Sequence, residues 1–237
     1  MQKLLGYTRR AVDDYKMIKS GDRIAVGVSG GKDSLVTLTA LAALSRFYPE
    51  KFEVCALSVD MGFGLDYGPI AEYCDSLGVK LEIVKTQIKE IVFDIRKETN
   101  PCSLCAKLRR GAVNNAANDL GCNKIAYGHH LDDAVETFLM CLMYEGRVSC
   151  FSPVTHLDRS GLDVIRPLIY CEEWFVRKFA RDHSLPVAEK VCPADGATKR
   201  QETKELISSV RKQVPELKER ILTAMQRGGV PEWAIER

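Results

Sequence analysis

The chain has 237 residues, which is long enough for one large domain with a sizeable buried core. Hydrophobic residues make up 46% and charged residues 28%, a balance that excludes wholesale disorder, and no apolar run is long enough to cross a bilayer. The net charge of +2 is too small by itself to indicate a nucleic-acid partner. The first residues lack the apolar core of a secretory signal, so we expect a cytoplasmic protein with no membrane partner.

Strand-like and helical patterns alternate along the first two thirds of the chain. Apolar runs typical of strands lie at 23–28, 53–59, 80–86, 124–128 and 163–168, and helical patterns lie at 34–47, 68–78, 102–121 and 131–144. This alternation predicts a doubly wound α/β fold with a mostly parallel five-stranded sheet, covered by helices on both faces. In such sheets ligands bind beyond the carboxyl ends of the strands.

The pattern becomes helical after Cys171, with helices predicted at 171–184, 198–213 and 215–229. We therefore expect two parts: an α/β domain at 1–195 and a small helical C-terminal extension at 196–237.

The stretch VGVSGGKDSL, residues 26–35, resembles a phosphate loop but not a Walker A loop. Only three residues separate Gly27 from Gly31-Lys32, and Asp33 stands where a Walker loop has Ser or Thr. Between a strand and a helix, the loop can nevertheless bind pyrophosphate through backbone amides, hydroxyls, a cation and the helix start. The residues concerned are Ser29, Gly30, Gly31, Lys32, Asp33 and Ser34. A simple glycine turn is the alternative.

A second polar segment follows the fourth predicted strand. His129 and His130 stand at the strand end, and Asp132 and Asp133 fall in the first turn of the next helix. Either carboxylate can hold Mg²⁺ against a nucleotide, and the imidazoles can contact phosphate. Helix capping is the alternative for each aspartate. Arg166, at the end of the last strand, can contact phosphate or pair with an acid.

Three of the nine cysteines have positions that suggest chemistry. Cys102 and Cys105 form a C-x-x-C at a predicted helix start, where the helix dipole and nearby cations favour thiolates. Cys192 follows 87 residues after Cys105. A structural zinc site commonly takes two such pairs, a redox pair needs a different strand context, and three thiolates suit a 4Fe-4S cluster with one open iron. The other cysteines are expected in the core, with Cys171 as a fallback ligand; they are Cys55, Cys74, Cys122, Cys141, Cys150 and Cys171.

Three segments together resemble the PP-loop, or N-type, ATP pyrophosphatase superfamily: SGGKDS, SVDMGF at 58–63 and GHHLDDAVET at 128–137. The resemblance implies that ATP is split between its α and β phosphates while a substrate oxygen is adenylated. It also implies that Val59 and Asp60 hold adenosine through backbone atoms, and that Gly128, His129 and Asp133 lie near the phosphates with Arg166.

Four longer runs resemble, in order and spacing, the tRNA 2-thiocytidine synthetase family over about residues 5–195: DYKMIKSGDRIAVGVSGGKDS, NPCSLCAKLRRG, KIAYGHHLDDAVET and VIRPLIYC. The resemblance implies that a 4Fe-4S cluster on Cys102, Cys105 and Cys192 delivers sulfur to a cytidine in the tRNA anticodon loop. It implies ATP and Mg²⁺, the latter on Asp132 or Asp133, and catalytic roles for Lys32, Asp33, Asp132 and Cys192. The partners that the resemblance implies are tRNA and a cysteine desulfurase or other sulfide donor.

The chain also departs from that family, and other functions stay open. Asp195 stands where members often have a further cysteine, and the C-terminal part is only weakly similar. The alternatives are thiolation of another nucleobase or a free pyrimidine, an amide-forming or lysidine-type ligase, and an ATP-binding iron-sulfur or zinc regulatory protein. A homodimer is also left open by the sequence.

Overall fold

The computed structural model describes residues 1–96, 101–188 and 199–235. The helices are α1 (Gln2–Asp14), α2 (Lys32–Leu44), α3 (Gly68–Leu77), α4 (Pro101–Asp119), α5 (Leu131–Glu145), α6 (Glu173–Asp182), α7 (Lys199–Arg211) and α8 (Leu217–Ala224). The strands are β1 (Arg23–Gly27), β2 (Glu53–Asp60), β3 (Leu81–Lys85), β4 (Lys124–Ala126), β5 (Val154–Leu157) and β6 (Leu162–Ile165). Short turns of helix lie at Glu90–Ile95, Met225–Gly229 and Pro231–Trp233.

The sheet has the order β3-β2-β1-β4-β6-β5, with every neighbouring pair parallel except β5 and β6. The predicted doubly wound, mostly parallel fold is confirmed. The predicted number of five strands is wrong, because β5 adds an antiparallel sixth strand at the edge. This strand has only four residues, which are too few to show a clear alternation of buried and exposed side chains.

Helices cover both faces of the sheet, as the hydrophobic pattern predicts. Helix α2 packs in the larger core, and ten of its thirteen residues are buried, so its apolar surface runs around the whole helix. Helix α4 covers the other face through Val113, Ala116 and Ala117. The short strand β4 is buried along its whole length.

The two ends of the chain meet in the larger core. Helix α1, which has no counterpart among the predicted elements, contributes Leu4, Ala11 and Val12. Met225 and Trp233 from the C-terminal part belong to the same cluster. The proposed boundary at residue 195 lies outside the described residues.

The order of the strands defines where a ligand binds. The chain runs outward from β1 to β3 on one side and from β4 to β6 on the other, so the direction of winding reverses between β1 and β4. A crevice opens at such a reversal, outside the carboxyl ends of the two strands. Both polar segments singled out in the sequence begin at this crevice. Within the described ranges, no helix is long and apolar enough to span a membrane.

Candidate active site

The loop after β1 is closed by hydrogen bonds among its own residues. The Ser34 hydroxyl donates to the Gly31 carbonyl at 2.8 Å and accepts the Ser29 N–H at 3.1 Å. Gly30 has a φ of +80°, in the left-handed region that favours glycine, and a Cβ added there would lie 3.0 Å from the Ala188 Cβ. Helix α2 begins immediately afterwards with Gly31 as its N-cap, which leaves the N–H groups of its first turn without a side-chain cap. The loop predicted to cradle an anion is therefore one tight turn, and its contact with phosphate stays a prediction.

The segment after β4 packs directly against this turn. A Cβ added to Gly128 would lie 2.6 Å from the Asp33 carbonyl oxygen and 3.0 Å from the Thr37 hydroxyl oxygen, so only glycine fits. His130 follows, and its Nε2 lies 3.7 Å from Asp33 Oδ1. The two polar segments predicted to share a site are thus in contact.

Asp33 has one carboxylate oxygen whose hydrogen-bonding capacity is not used. Its Oδ1 is buried and has no hydrogen-bond partner among the described residues. A buried acceptor without a partner is costly in free energy. A donor or a cation brought by a ligand would satisfy this oxygen.

Lys32 extends between two carboxylates. Its Nζ lies 3.0 Å from Asp33 Oδ2 and 3.2 Å from Glu173 Oε1, and the lysine side chain is 24% exposed. Burial acts to raise the pKa of Glu173, but Lys32, Arg177 and Lys204 outweigh it and lower that pKa to about 2. Glu173 is therefore ionised at neutral pH and holds the cation of the loop.

His130 and Asp133 cap helix α5 reciprocally. The Asp133 N–H donates to His130 Nδ1 at 3.3 Å, and the His130 N–H donates to Asp133 Oδ2 at 3.0 Å. The other carboxylate oxygen of Asp133 lies 3.3 Å from a guanidinium nitrogen of Arg200. The capping role that the sequence allowed for Asp133 is confirmed, and its role beside magnesium or phosphate stays a prediction.

Asp132 is bound to other parts of the protein through both of its oxygens. Oδ2 accepts the Glu173 N–H at 2.6 Å, and Oδ1 is ion-paired with Lys218, whose Nζ also lies 3.0 Å from Glu172 Oε2. Asp132 thereby anchors α6 and α8, and its catalytic and magnesium roles stay predictions. Across residues 1–96, 101–188 and 199–235, no three His, Cys, Asp or Glu side chains are grouped to hold a metal ion.

Buried Arg166 and partly buried His129 form a pair beside the crevice. The arginine Nε donates to His129 Nδ1 at 3.2 Å, its Nη1 lies 3.1 Å from the Thr155 hydroxyl, and its guanidinium stacks 4.9 Å from the centre of the Phe151 ring. Burial and the charge of Arg166 lower the pKa of His129 to about 4, so this imidazole is neutral at pH 7. Arg166 thus orients His129 and has no acidic partner within the part of the chain that the structure describes, and a phosphate contact of either residue stays a prediction.

The end of β2 offers backbone groups to the crevice. Strand β1 pairs with β2 only as far as Gly27 opposite Leu57, whereas β2 continues alongside β3 to Asp60. The Leu57 carbonyl accepts a hydrogen bond from the Val28 N–H, on the β1 side of β2. Because backbone groups alternate in direction along a strand, the N–H and C=O of Val59 point to the same side, beyond the end of β1. The Asp60 carbonyl is already bonded to Thr86. Val59 is the better placed of the two to hold a ligand by its backbone.

The C-x-x-C lies at the same edge of the sheet. Cys102 is exposed and Cys105 is partly buried in the first turns of α4. The Cys105 Sγ lies 3.8 Å from the Met61 sulfur, and Met61 directly follows β2. Cys192 lies outside the described residues. Ala188, four residues before it, donates its N–H to the Gly30 carbonyl at 3.0 Å.

Most of the other cysteines are structural, as predicted. Cys55, Cys74, Cys122 and Cys171 are buried, and Cys141 and Cys150 are partly buried. Cys171 is fully enclosed in the larger core, where burial raises the pKa of its thiol to about 12. This environment disfavours the thiolate that a metal ligand requires.

Residues of the site that were not predicted from the sequence include Glu173, Arg200 and Lys204. Each lies on an amphipathic helix where charged residues normally face solvent. No local pattern distinguishes them from their charged neighbours.

The comparisons with known proteins agree with this geometry. Residues 6–207 match the family model described as a PP-loop domain. The chain is 39% identical over 94% of its length to the tRNA-cytidine(32) 2-sulfurtransferase of Geobacter sulfurreducens, covering 89% of that protein. It is also 39% identical, again over 94% of its length, to the protein of the same name from Dechloromonas aromatica, covering 79% of it.

A solved structure supports the fold alone. The U34-tRNA thiolase NcsA from Methanococcus maripaludis, solved with its 4Fe-4S cluster, is similar with a TM-score of 0.75 and 24% identity over 98% of this chain and 79% of the other. Fold and loop together define a protein of the PP-loop class. The chain belongs to the tRNA-cytidine(32) 2-sulfurtransferase family within that class. The resemblance found in the sequence is confirmed.

Proposed function

We propose that this protein is an ATP-dependent enzyme that replaces the C2 oxygen of a cytidine in the tRNA anticodon loop with sulfur. The proposal rests on family membership and on the phosphate loop at the crevice between β1 and β4. One structural observation supports the sulfur chemistry in particular. Both stretches of chain that lead to the candidate cysteines touch the nucleotide site: Cys105 contacts Met61, and Ala188, ahead of Cys192, bonds to Gly30.

The proposed reaction has two steps. The C2 oxygen of cytidine attacks the α-phosphorus of ATP, and the bond to the β-phosphate breaks, releasing pyrophosphate. A sulfide-level sulfur then forms a bond to C2, and the C2–O bond breaks with AMP as the leaving group. Adenylation is needed because oxide is a poor leaving group and AMP is a good one.

The residues of this chain have distinct tasks in the first step. The loop amides, the start of α2 and Lys32 stabilise the charge that develops on pyrophosphate. The backbone of Val59 holds adenosine. Mg²⁺ would be held by Asp132 or Asp133, with Asp33, whose Oδ1 has no hydrogen-bond partner among the described residues, as a further candidate ligand, and would supply positive charge to the phosphates.

Cys102, Cys105 and Cys192 would hold a 4Fe-4S cluster. Two of the thiols lie three residues apart at one helix start, which fits this use. When bound, the cluster supplies an iron without a protein ligand, to which the sulfur to be transferred can bind. The source of that sulfur is a sulfide donor, or a cysteine desulfurase whose persulfide sulfur is reduced by two electrons from a thiol reductant to the sulfide level. Arg109 and Arg110, both exposed on α4, guide the RNA backbone to this place.

The test is an anaerobic assay with unmodified tRNA, ATP, Mg²⁺ and sulfide, in which 2-thiocytidine is measured by mass spectrometry of the digested tRNA. Iron and acid-labile sulfide are measured on the same preparations. We compare the unsubstituted protein with Lys32→Ala and with Cys102→Ser, Cys105→Ser and Cys192→Ser. Cys141→Ser, a partly buried cysteine of α5, is the matched control.

We expect Lys32→Ala to retain its iron and lose thiolation, and each cysteine variant of the candidate set to lose both. Cys141→Ser should retain both. Undiminished ATP turnover after replacement of all three candidate cysteines would instead indicate a PP-loop ligase. One zinc ion per chain in place of iron would separate these cysteines from sulfur transfer.

A further inference from the structure

Eight titratable side chains, alternately basic and acidic residues, form a closed ring at the phosphate loop. We call it the charge ring; its members in order are Lys32, Asp33, His130, Asp133, Arg200, Glu136, Lys204 and Glu173. The successive nitrogen–oxygen distances around it are 3.0, 3.7, 3.2, 3.3, 2.9, 3.6, 3.4 and 3.2 Å. A closed arrangement of this kind couples each group to its neighbours on both sides.

Helix α7 supplies two of the three Lys and Arg side chains of the charge ring. Arg200 and Lys204 are four residues apart, so they lie on the same face of α7. Arg200 lies 2.9 Å from Glu136 and within 3.4 Å of the Thr137 hydroxyl, and Lys204 lies 3.4 Å from Glu173. Part of the proposed C-terminal extension thus belongs to the nucleotide site.

The carboxylates of the charge ring would otherwise oppose the binding of a nucleotide. Glu136 has a side chain only 3% exposed; burial raises its pKa, whereas Lys204 and Arg200 lower it. The two carboxylate oxygens of Glu173 contact different lysines: Oε1 contacts Lys32 and Oε2 contacts Lys204. Without Lys204, Glu173 Oε2 would lose its cation. Glu173 would then be shared by Lys32 and Arg177 alone, the latter with its Nη2 3.0 Å from Oε1, so Glu173 would compete more strongly with phosphate for Lys32.

We propose that Arg200 and Lys204 are positioning residues of the ATP site, which hold Asp133, Glu136 and Glu173 so that Lys32 stays available to the phosphates. The inference rests on the proposed ATP site and does not depend on the acceptor of the reaction. It predicts that a side chain on α7 controls nucleotide affinity through Glu173.

The experiment measures binding of the Mg²⁺ complex of α,β-methylene-ATP to the full chain, purified anaerobically, by calorimetry. Lys204→Met removes the charge at similar length, Lys204→Arg restores it, and Lys212→Met removes an exposed cation just after α7 and outside the ring. Glu173→Gln and the double variant Glu173→Gln/Lys204→Met complete a double-mutant cycle. The melting temperature of each variant is recorded in parallel.

We expect Lys204→Met to bind the analogue about three- to tenfold more weakly, with Lys204→Arg and Lys212→Met within about twofold of the unsubstituted protein. In the Glu173→Gln background, the effect of Lys204→Met should shrink to less than about twofold, because the competing carboxylate is gone. A variant whose Tm falls while its affinity for the analogue is unchanged would overturn the inference and leave α7 with a structural role only.

The outcomes also separate this inference from the proposed function. Absence of analogue binding by the unsubstituted protein would contradict the ATP site itself and, with it, the role of α7. The expected affinities together with no thiolated tRNA would support the charge ring and contradict the acceptor.

Discussion

At the scale of single residues, the site depends on the absence of a side chain as much as on the charged groups. Gly128 allows the segment after β4 to lie against the backbone of Asp33 at the start of α2. Because this contact is between backbones, no rotation of a side chain can relieve an added methyl group. The glycine therefore sets the distance between the loop and the histidines.

Gly128→Ala should destabilise the protein by about 1–3 kcal/mol and weaken nucleotide binding, because the two backbones must move apart. Gly111→Ala is the control, since nothing lies within 4 Å of the added methyl group and alanine favours the helix there by about 0.5–1 kcal/mol. Urea unfolding measures the stability of both variants. Equal stability of Gly128→Ala and the unsubstituted protein would show that the segments are not in contact.

His129 makes the stability of the protein depend on pH. Burial first, and then Arg166, lower its pKa in the folded state to about 4 from an ordinary value of 6.5. Between these values the unfolded chain binds a proton on this residue and the folded chain does not, so stability falls as the pH falls from 6.5 to 4, by up to about 3 kcal/mol.

Replacing His129 by Gln, which keeps an acceptor for Arg166, should therefore flatten the decline of Tm between pH 6.5 and 4.5. His183→Gln, at an exposed histidine, serves as the control and should leave the decline in place. Identical pH profiles for His129→Gln and the unsubstituted protein would exclude this residue as the source.

At the scale of elements, helix starts organise the site. The starts of α2, α5 and α6 are joined through Lys32, Glu173 and Asp132. Helix α8 is tied to them by Lys218, which lines a cavity of about 480 Å³ between α5, α6 and the C-terminal helices. Because Lys218 is 6% exposed, its ion pairs with Asp132 and Glu172 are shielded from solvent.

Lys218→Met should lower the free energy of unfolding by about 3–5 kcal/mol, because it leaves the buried carboxylate of Asp132 without its cation. Arg220→Met, at an exposed position of the same helix, should change it by less than about 1 kcal/mol. Chemical denaturation measures both variants. If they prove equally stable, α8 is not held by Lys218.

At the scale of the whole molecule, the C-terminal part shares its core with the α/β fold. Trp233 is fully buried, donates its indole N–H to the Phe151 carbonyl at 2.9 Å and packs edge-on against Tyr15 of the N-terminal part. The boundary at residue 195 between the α/β domain and the helical extension stays a proposal. The shared core indicates that they unfold together.

Trp233→Ala should lower the free energy of unfolding by about 3–5 kcal/mol while unfolding stays a single transition. Trp174→Ala, at a half-exposed tryptophan, should cost much less. Far-ultraviolet circular dichroism and tryptophan fluorescence, followed in urea, should give coincident curves for both. Two separate transitions would show that the extension folds on its own.

Much of the fold could be predicted because its signals are local. The alternation of apolar strands with helices indicated the doubly wound sheet, and the glycines and charge of SGGKDS indicated an anion loop. Strand β5 was not predicted because its four residues, Val154–Leu157, show no clear alternation of buried and exposed side chains. The sequence signal for the hairpin is the turn composition DRSG at 158–161. In the structure this turn ends at Gly161, which has a φ of +68°.

The sequence by itself determined the class of the fold, the phosphate loop and the C-x-x-C, since each depends on residue types close together in the chain. Only the tertiary structure decided the partners of the charged groups. Lys32 meets Glu173, and Asp133 meets Arg200, across 141 and 67 residues of chain. Such pairs depend on which helix faces turn toward each other when the core packs, and a charged residue on an amphipathic helix gives no local sign of that choice.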